Sequence, residues 1–372
     1  MIMDLREREF FIALANIKGI DFHAAKALIE KYGSAEAVFS TNTISLPNEE
    51  GEEQEINLFK KSSKEELLIF AKKEIDFIEK HNITPISFCC DTYPYRLLNC
   101  ADAPILLYSK GNIDFNSTKY VSIVGTRHAT EYGRDWCEKF VRELAEMFPD
   151  VVIVSGLAYG IDICAHRAAL DCGAKTVAVL GNPLNSIYPS THRHTAEKII
   201  SNGALISEYS SQSPTLKVNF VARNRIVAGM SDATVIVESK EKGGSLITAA
   251  LAADYSRDVF ALPGNVDKES SKGCNNLIRD NKAQLITSAK DMTDILGWEC
   301  LTSSKRVQNT LFPDFDETEQ VIIDIITEKK EIDINTLSQL SGIATSKLLS
   351  SLMGLEFKGA IKSYPGNRYK IR

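Results

Sequence analysis

The chain predicts an α/β protein: an extended, Rossmann-like, mostly parallel sheet with a helical N-terminal domain and a small C-terminal winged helix. Three observations lead there. First, short apolar runs at Val121–Val124, Val151–Ser155, Thr176–Leu180, Ala204–Ser207, Thr234–Glu238, Val259–Ala261 and Leu285–Ile286 alternate with amphipathic helical stretches. Strict strand–helix alternation implies a parallel sheet covered on both faces, here from Tyr120 to about Leu296. Second, Phe10, Phe11, Leu14, Ile17 and then Ala24, Ala27, Leu28 recur at helical spacing. Third, helical stretches at 317–329, 335–341 and 345–358 precede two short strand patterns, Ala360–Ser363 and Arg368–Ile371, around the turn residues Pro365, Gly366 and Asn367.

These patterns divide the chain into a helical part resembling SAM or helix-hairpin-helix modules (1–82), the sheet domain (83–297), a linker (298–315) and the winged helix (316–372). Within the first two, Thr41–Glu55 is polar and acidic and reads as an exposed loop or linker. A helix is expected at about Lys64–His81 and a short strand near Ile86–Cys89. The pairs Tyr93-Pro94 and Ala103-Pro104 mark an extended connection into the sheet. A fragment of about residues 110–297 is expected to fold.

At 372 residues and 44% hydrophobic content the chain can bury a substantial core. No stretch approaches the roughly 20 apolar residues of a membrane span, and the first residues lack the apolar centre of a secretion signal. A cytoplasmic location is expected. Eight scattered cysteines without a Cys-x-x-Cys pair point to free thiols rather than a zinc cage or disulfide framework. The net charge of −6 excludes a chain that is basic throughout but leaves room for a local basic groove.

Chemistry gathers at the ends of the predicted strands, where an open α/β sheet places its ligands. The run ending in Ser155-Gly156 leads through Gly160 to Asp162, which can cap a helix beginning near Ile163. Strand, glycine turn and helix start make a ready anion site. Gly125, Thr126 and Arg127 follow the first strand; either they capture phosphate, or they form a surface turn with a solvated arginine. Gly243, Gly244, Ser245 and Thr248 offer N–H and hydroxyl donors to a second phosphate, or an ordinary helix cap.

Lys217, Phe220, Arg223, Asn224 and Arg225 join charge to a stacking surface where a helix opens. Arg223 and Arg225 lie about 200° apart on a helix, so one of them in a structural ion pair is an equal alternative. His166 reads as an acid or base, or as a hydrogen-bonded core histidine. His192 and His194 resemble a metal pair without a third ligand, so a helix-start surface is the simpler reading. No nucleophile–base pair, Walker loop or metal-ligand spacing stands out. Neither a metal nor a cofactor is expected.

Taken in order, these blocks resemble the DNA-processing protein A family (DprA, also called Smf). The resemblance rests on Gly125-Thr126-Arg127, the run from Ser155 to Asp162 with Ala165-His166, Ser207-Glu208, Arg223-Asn224-Arg225-Ile226, Gly244-Ser245 with Thr248-Ala249, Pro263-Gly264, and Gly273 to Ile278. It implies a bacterial, non-catalytic protein that binds single-stranded DNA taken up in natural transformation, protects it and helps load the RecA recombinase, usually as a homodimer. It transfers DNA contacts to Gly125, Thr126, Arg127, Arg223 and Arg225, and further pocket positions to Gly156, Gly160, Asp162, Gly244 and Ser245. Gly243 departs from the family's frequent serine. Asp21 stands in the N-terminal hairpin, where a carboxylate repels phosphate. The winged helix carries Lys358, Lys362, Arg368, Lys370 and Arg372, which serve a DNA-binding wing or a docking role. Two other readings remain from the residues themselves. One is a nucleoside monophosphate phosphoribohydrolase, although Pro263-Gly264-Asn265 does not supply the Pro-Gly-Gly-x-Gly-Thr loop of that class. The other is a nucleotide-sensing regulator that binds duplex DNA.

Overall fold

The computed structural model describes residues 5–41, 44–47, 53–56, 58–60, 63–117, 119–299, 315–364 and 367–371. Two compact units result, Met1–Leu301 and Thr302–Arg372. In the first, a hairpin of β1 (Ile44–Pro47) and β2 (Glu53–Ile56) is followed by a sheet with nine strands among the described residues. These are β3 (Thr84–Ser87), β4 (Leu106–Gly111), β5 (Tyr120–Gly125), β6 (Val152–Ser155), β7 (Lys175–Val179), β8 (Ala204–Ser207), β9 (Ala233–Val237), β10 (Asp258–Ala261) and β11 (Gln284–Leu285). Their order is β11-β10-β9-β5-β6-β7-β8-β4-β3. From β5 to β11 every pairing is parallel; β4 and β3 pair antiparallel at one edge. The α/β, mostly parallel sheet is the predicted one.

Both faces of the sheet are buried, and β5 shows how. Tyr120 and Val124 enter one core with the N-terminal helices, while Val121 and Ile123 enter the other, against helices Glu131–Met147 and Ile161–Asp171. This is the period-two alternation of a strand between two helical layers. The start of β5 is pinned electrostatically. Arg96, almost fully buried, sends Nε and Nη2 to the two carboxylate oxygens of Asp232 at 2.7 and 2.9 Å, and Asp232 also accepts from the Tyr120 N–H at 2.8 Å.

Three expectations are corrected. The segment Thr41–Glu55 contains the β1–β2 hairpin, registered Ile44↔Ile56 and Leu46↔Gln54; Ile44 and Leu46 alternate with polar residues, a strand signal outweighed by the acidic composition. The connection before the sheet holds a helical turn, Tyr95–Leu98, and the full strand β4. The helix expected to open at Phe220 is two short helices, Lys217–Ala222 and Asn224–Gly229, with Arg223 between them.

In the second unit, helices Glu317–Lys329, Ile334–Ser341 and Thr345–Phe357 accompany an antiparallel sheet of β12 (Ile332–Asp333), β13 (Ile361–Tyr364) and β14 (Arg368–Ile371), in the order β12-β14-β13. Its core is Ile322, Ile326, Leu337, Leu348, Leu352 and Leu355 with Tyr369. Most of the expected linker, turn residues Pro365 and Gly366, and Arg372 lie outside the described residues. The basic residues of this unit are largely met by carboxylates: Lys358 by Glu319 at 2.6 Å, Arg368 and Lys370 by Glu331 at 2.8 and 2.9 Å.

Candidate functional site

Strand order reverses beside β5, since β6 lies on one side of it and β9 on the other. At such a switch point the loops leaving the two neighbouring strands diverge and open a crevice. Here a cavity of about 260 Å³ is lined by Gly125, Thr126, Arg127 and His128 after β5 and by Ser239, Lys240 and Lys242 through Ser245 after β9. Phe220, Val221, Arg223 and Asn224 close it from the two short helices, with Asp162, Ile247 and Thr248 completing the wall. The predicted set therefore converges at Gly125, Thr126, Arg127, Asp162, Phe220, Arg223, Asn224, Gly243, Gly244, Ser245 and Thr248. Ser239, Lys240, Lys242 and His128 were not in that set. The two lysines stand in a loop already singled out for its glycines, so their charge was the available signal.

Two predicted helix-start anion sites turn out differently. The helix Ile161–Asp171 begins at Gly160, whose φ is +79°, and its first turn is satisfied internally: Ile161 N–H reaches Thr126 O at 3.2 Å and Ile163 N–H reaches Ala158 O at 3.2 Å. Asp162 is inside the helix and is not its cap. Its carboxylate instead accepts from the N–H groups of Gly156 (3.1 Å) and Ala158 (3.4 Å), so this glycine turn is already filled by the protein's own anion. Helix Ser245–Asp254 starts at Gly244 with no side-chain cap and opens onto the cavity; its Leu246 and Ile247 N–H groups already reach the Gly243 and Gly244 carbonyls at 3.2 Å, so its positive end meets the cavity through Gly244 and Ser245.

Arg223 is the centre of the arrangement. It is 4% exposed, and Nη1 donates to the Val179 carbonyl at the end of β7 at 2.5 Å. Its Nε is buried without a hydrogen-bond partner among the described residues. Burial lowers its pKa, Arg127 lowers it further, and Asp162 works against both. Burial likewise raises the pKa of Asp162, opposed by the Arg223 charge and by the Ala158 and Gly156 N–H groups.

Gly156 makes room for this arginine rather than lining the cavity: a Cβ there would lie 1.8 Å from Arg223 Nη1. Gly156→Ala is therefore expected to displace the guanidinium and to cost about 1–3 kcal/mol, as overpacking does. Thermal melting checks this; an unchanged melting temperature would show that Arg223 moves without resistance.

The remaining predicted residues fall elsewhere. Arg225 forms an ion pair with Glu208 and lies outside the cavity wall, so of the two arginines it is Arg223 that lines the crevice. Lys217 is exposed and outside the cavity wall, and Gly160 lines a neighbouring groove. His166 is a core histidine: fully buried, within 2.7 Å of Thr176 Oγ1, and held down to about 3 by burial, with Arg223 and His192 adding to the effect. His192 is buried too, bonded to the Leu157 carbonyl at 2.9 Å, which corrects the surface reading. Glu238, at φ +56°, accepts from the Thr130 N–H at 2.8 Å and the Thr130 hydroxyl at 2.5 Å, while its carbonyl accepts from Thr126 N–H. It braces the turn that carries Arg127.

Among the described residues, no group of three His, Cys, Asp or Glu side chains is arranged to hold a metal, and no helix is long and apolar enough to cross a membrane.

Sheet, switch point, uncapped helix end and converging cations define a Rossmann-like protein with a cation-lined crevice. Over residues 84–297 the chain matches the family described as DNA recombination-mediator protein A, and it belongs to that DprA/Smf family. It is 42% identical over 202 residues to the DNA processing protein DprA of Streptococcus pneumoniae, covering 54% of this chain and 70% of that one. It is 32% identical over 315 residues to protein Smf of Escherichia coli, covering 82% and 83%. Among solved structures it is similar to DprA from Streptococcus pneumoniae, with TM-score 0.63 and 30% identity over 79% of this chain and 98% of that one. A second similar structure concerns the single-stranded DNA binding mode of DNA processing protein A from Helicobacter pylori, with TM-score 0.52 and 32% identity over 57% and 95%.

Proposed function

We propose that the crevice binds single-stranded DNA through its sugar-phosphate backbone, with little preference for sequence and without catalytic turnover. On this reading the protein works in the cytoplasm as a homodimer. It protects incoming single strands in natural transformation and helps load RecA recombinase onto them. Residues Gly125, Thr126, Arg127, Phe220, Arg223, Asn224, Gly243, Gly244, Ser245 and Thr248 form the DNA contact surface, flanked by Lys217.

The observation that carries the reading is the pairing of an exposed arginine with an open helix end. Arg127 has no ion-pair partner among the described residues, and it lines the same crevice as the uncapped start of helix Ser245–Asp254. A phosphate between them receives a bidentate guanidinium and backbone N–H donors. Phe220, half-buried on the wall with Tyr188 at 5.1 Å between ring centroids, offers an aromatic surface for a base. The single-stranded DNA binding mode of DNA processing protein A from Helicobacter pylori supports the same ligand. We read the second unit as a winged helix with an accessory role. Lys358, Arg368 and Lys370 are paired with Glu319 and Glu331, which disfavours a duplex-binding wing.

Binding of a labelled single-stranded oligonucleotide across a salt series tests this. Arg127→Ala is expected to weaken binding and to reduce the slope of log K against log salt by about 0.7, one released counterion on a single strand. Equal affinity and slope in the wild type and the variant would remove the crevice as the binding site.

A further inference from the structure

Beyond the crevice, and resting on the single-strand reading above, the geometry points to a second nucleotide seat. We propose that the strand leaves the crevice past Arg127 into the groove of Arg134 and Tyr159, where Tyr159 stacks a neighbouring base.

This groove, about 690 Å³, shares Arg127 and His128 with the crevice, so the two are continuous through one wall. Its other walls include Arg134, Tyr159 and Gly160, and no carboxylate lines it. Arg127 thus stands at the junction, where the phosphate linking two nucleotides would lie. Arg134 is exposed, and its Nη1 is steadied by the Ala129 carbonyl at 2.6 Å, which leaves its other N–H groups for a phosphate.

Tyr159 is 47% exposed yet held in place. Its hydroxyl accepts from Thr191 at 3.3 Å, and its ring packs at 71° on His192, with centroids 4.9 Å apart. His192 is itself buried and bonded to the Leu157 carbonyl. A half-exposed aromatic fixed before binding loses little entropy when a base stacks on it.

A further groove, which shares no lining residue with the crevice, is electrostatically wrong for a strand. The groove of about 750 Å³ beside Tyr132 is lined by Glu131 and Glu238, with Lys268 as its lining cation. Tyr132 there donates its hydroxyl to the Pro263 carbonyl at 2.7 Å. Carboxylates facing a polyanion repel it, while arginines beside an aromatic are the usual make-up of a single-strand track.

The test is affinity across a series of oligothymidylates, from a few to roughly a dozen nucleotides. The wild type is expected to gain affinity with length, and Tyr159→Ala to lose about 5- to 150-fold on the longer oligomers, the worth of one base stack. On the shortest oligomers the variant and the wild type converge. Tyr159→Phe, which keeps the ring, retains wild-type affinity, and Arg134→Ala lowers the salt slope by about 0.7 on long oligomers alone.

The proposal is overturned if Tyr159→Ala and Arg134→Ala bind the whole series like the wild type while Arg127→Ala is weakened. It is equally overturned if Lys268→Ala takes the length-dependent loss instead, or if Tyr159→Ala weakens short and long oligomers alike. Failure of the wild type to bind any oligomer would sink the single-strand reading itself, and is visible before any variant is compared.

Discussion

Arg223→Met should both empty the crevice of its central charge and destabilise the fold by an amount that grows with pH. The Val179 carbonyl loses a charged donor, an interaction worth about 1.5–3 kcal/mol. Asp162 then remains buried with the Gly156 and Ala158 N–H groups and the Ser155 side chain for support. Burial already raises its pKa, and the Arg223 charge is the first force opposing that rise, so the variant raises it further. A carboxyl whose folded pKa exceeds its unfolded value binds more protons in the native state. It therefore removes stability as pH rises between the two values. The deficit of the variant should be small in acid, where Asp162 is protonated in both proteins, and should widen toward neutral pH. Urea unfolding at several pH values measures this, and a deficit independent of pH would show that Asp162 does not sense the arginine. Single-strand binding by the same variant is expected to fall at least as far as in Arg127→Ala.

A larger loss of stability, with no direct effect on the crevice, is expected from Arg96→Met. Arg96 is 1% exposed, makes two hydrogen bonds to Asp232 and a third to the Ser117 carbonyl at 3.2 Å, and lies 4.9 Å from the Tyr120 ring centroid. Removing one member of a buried pair costs about 3–5 kcal/mol, because the partner charge stays behind. Asp232 keeps the Tyr120 N–H and some solvent, which places the expectation near the lower end. Adding Asp232→Asn should recover part of the loss, since it removes the orphaned charge. Denaturant midpoints of the two single variants and the double variant decide it; a double variant no more stable than Arg96→Met would mean that packing against Tyr120, rather than charge, is what Arg96 supplies.

The strand pattern was legible because strands buried on both faces are nearly continuous apolar runs, and every one from β5 to β11 shows in the sequence to within a residue or two. Strand β4 was not. Its residues Leu106–Gly111 follow Pro104 and sit between two turn signals, and pairing with β8 is a long-range choice that no local pattern records. The crevice was legible where a glycine or a cation follows a strand. The division of labour between Arg223 and Arg225 was not, because it is set by Glu208, far away in sequence. Nor was the fate of the Gly156 turn: only the fold shows that Asp162 returns to fill it and that Gly156 leaves a passage for the side chain of Arg223, which stands between two short helices.

The antiparallel edge has a practical meaning for anyone cutting the chain. A fragment starting near residue 110, expected from sequence to fold, would discard β3 and nearly all of β4. It would leave β8, whose residues Ala204–Ser207 are all buried, as an open rim of unpaired N–H and C=O groups flanked by apolar side chains. Such a rim is adhesive toward any strand that meets it. The first residues of the sheet domain thus act as a selvage, finishing the woven edge so that it does not catch on a stray strand.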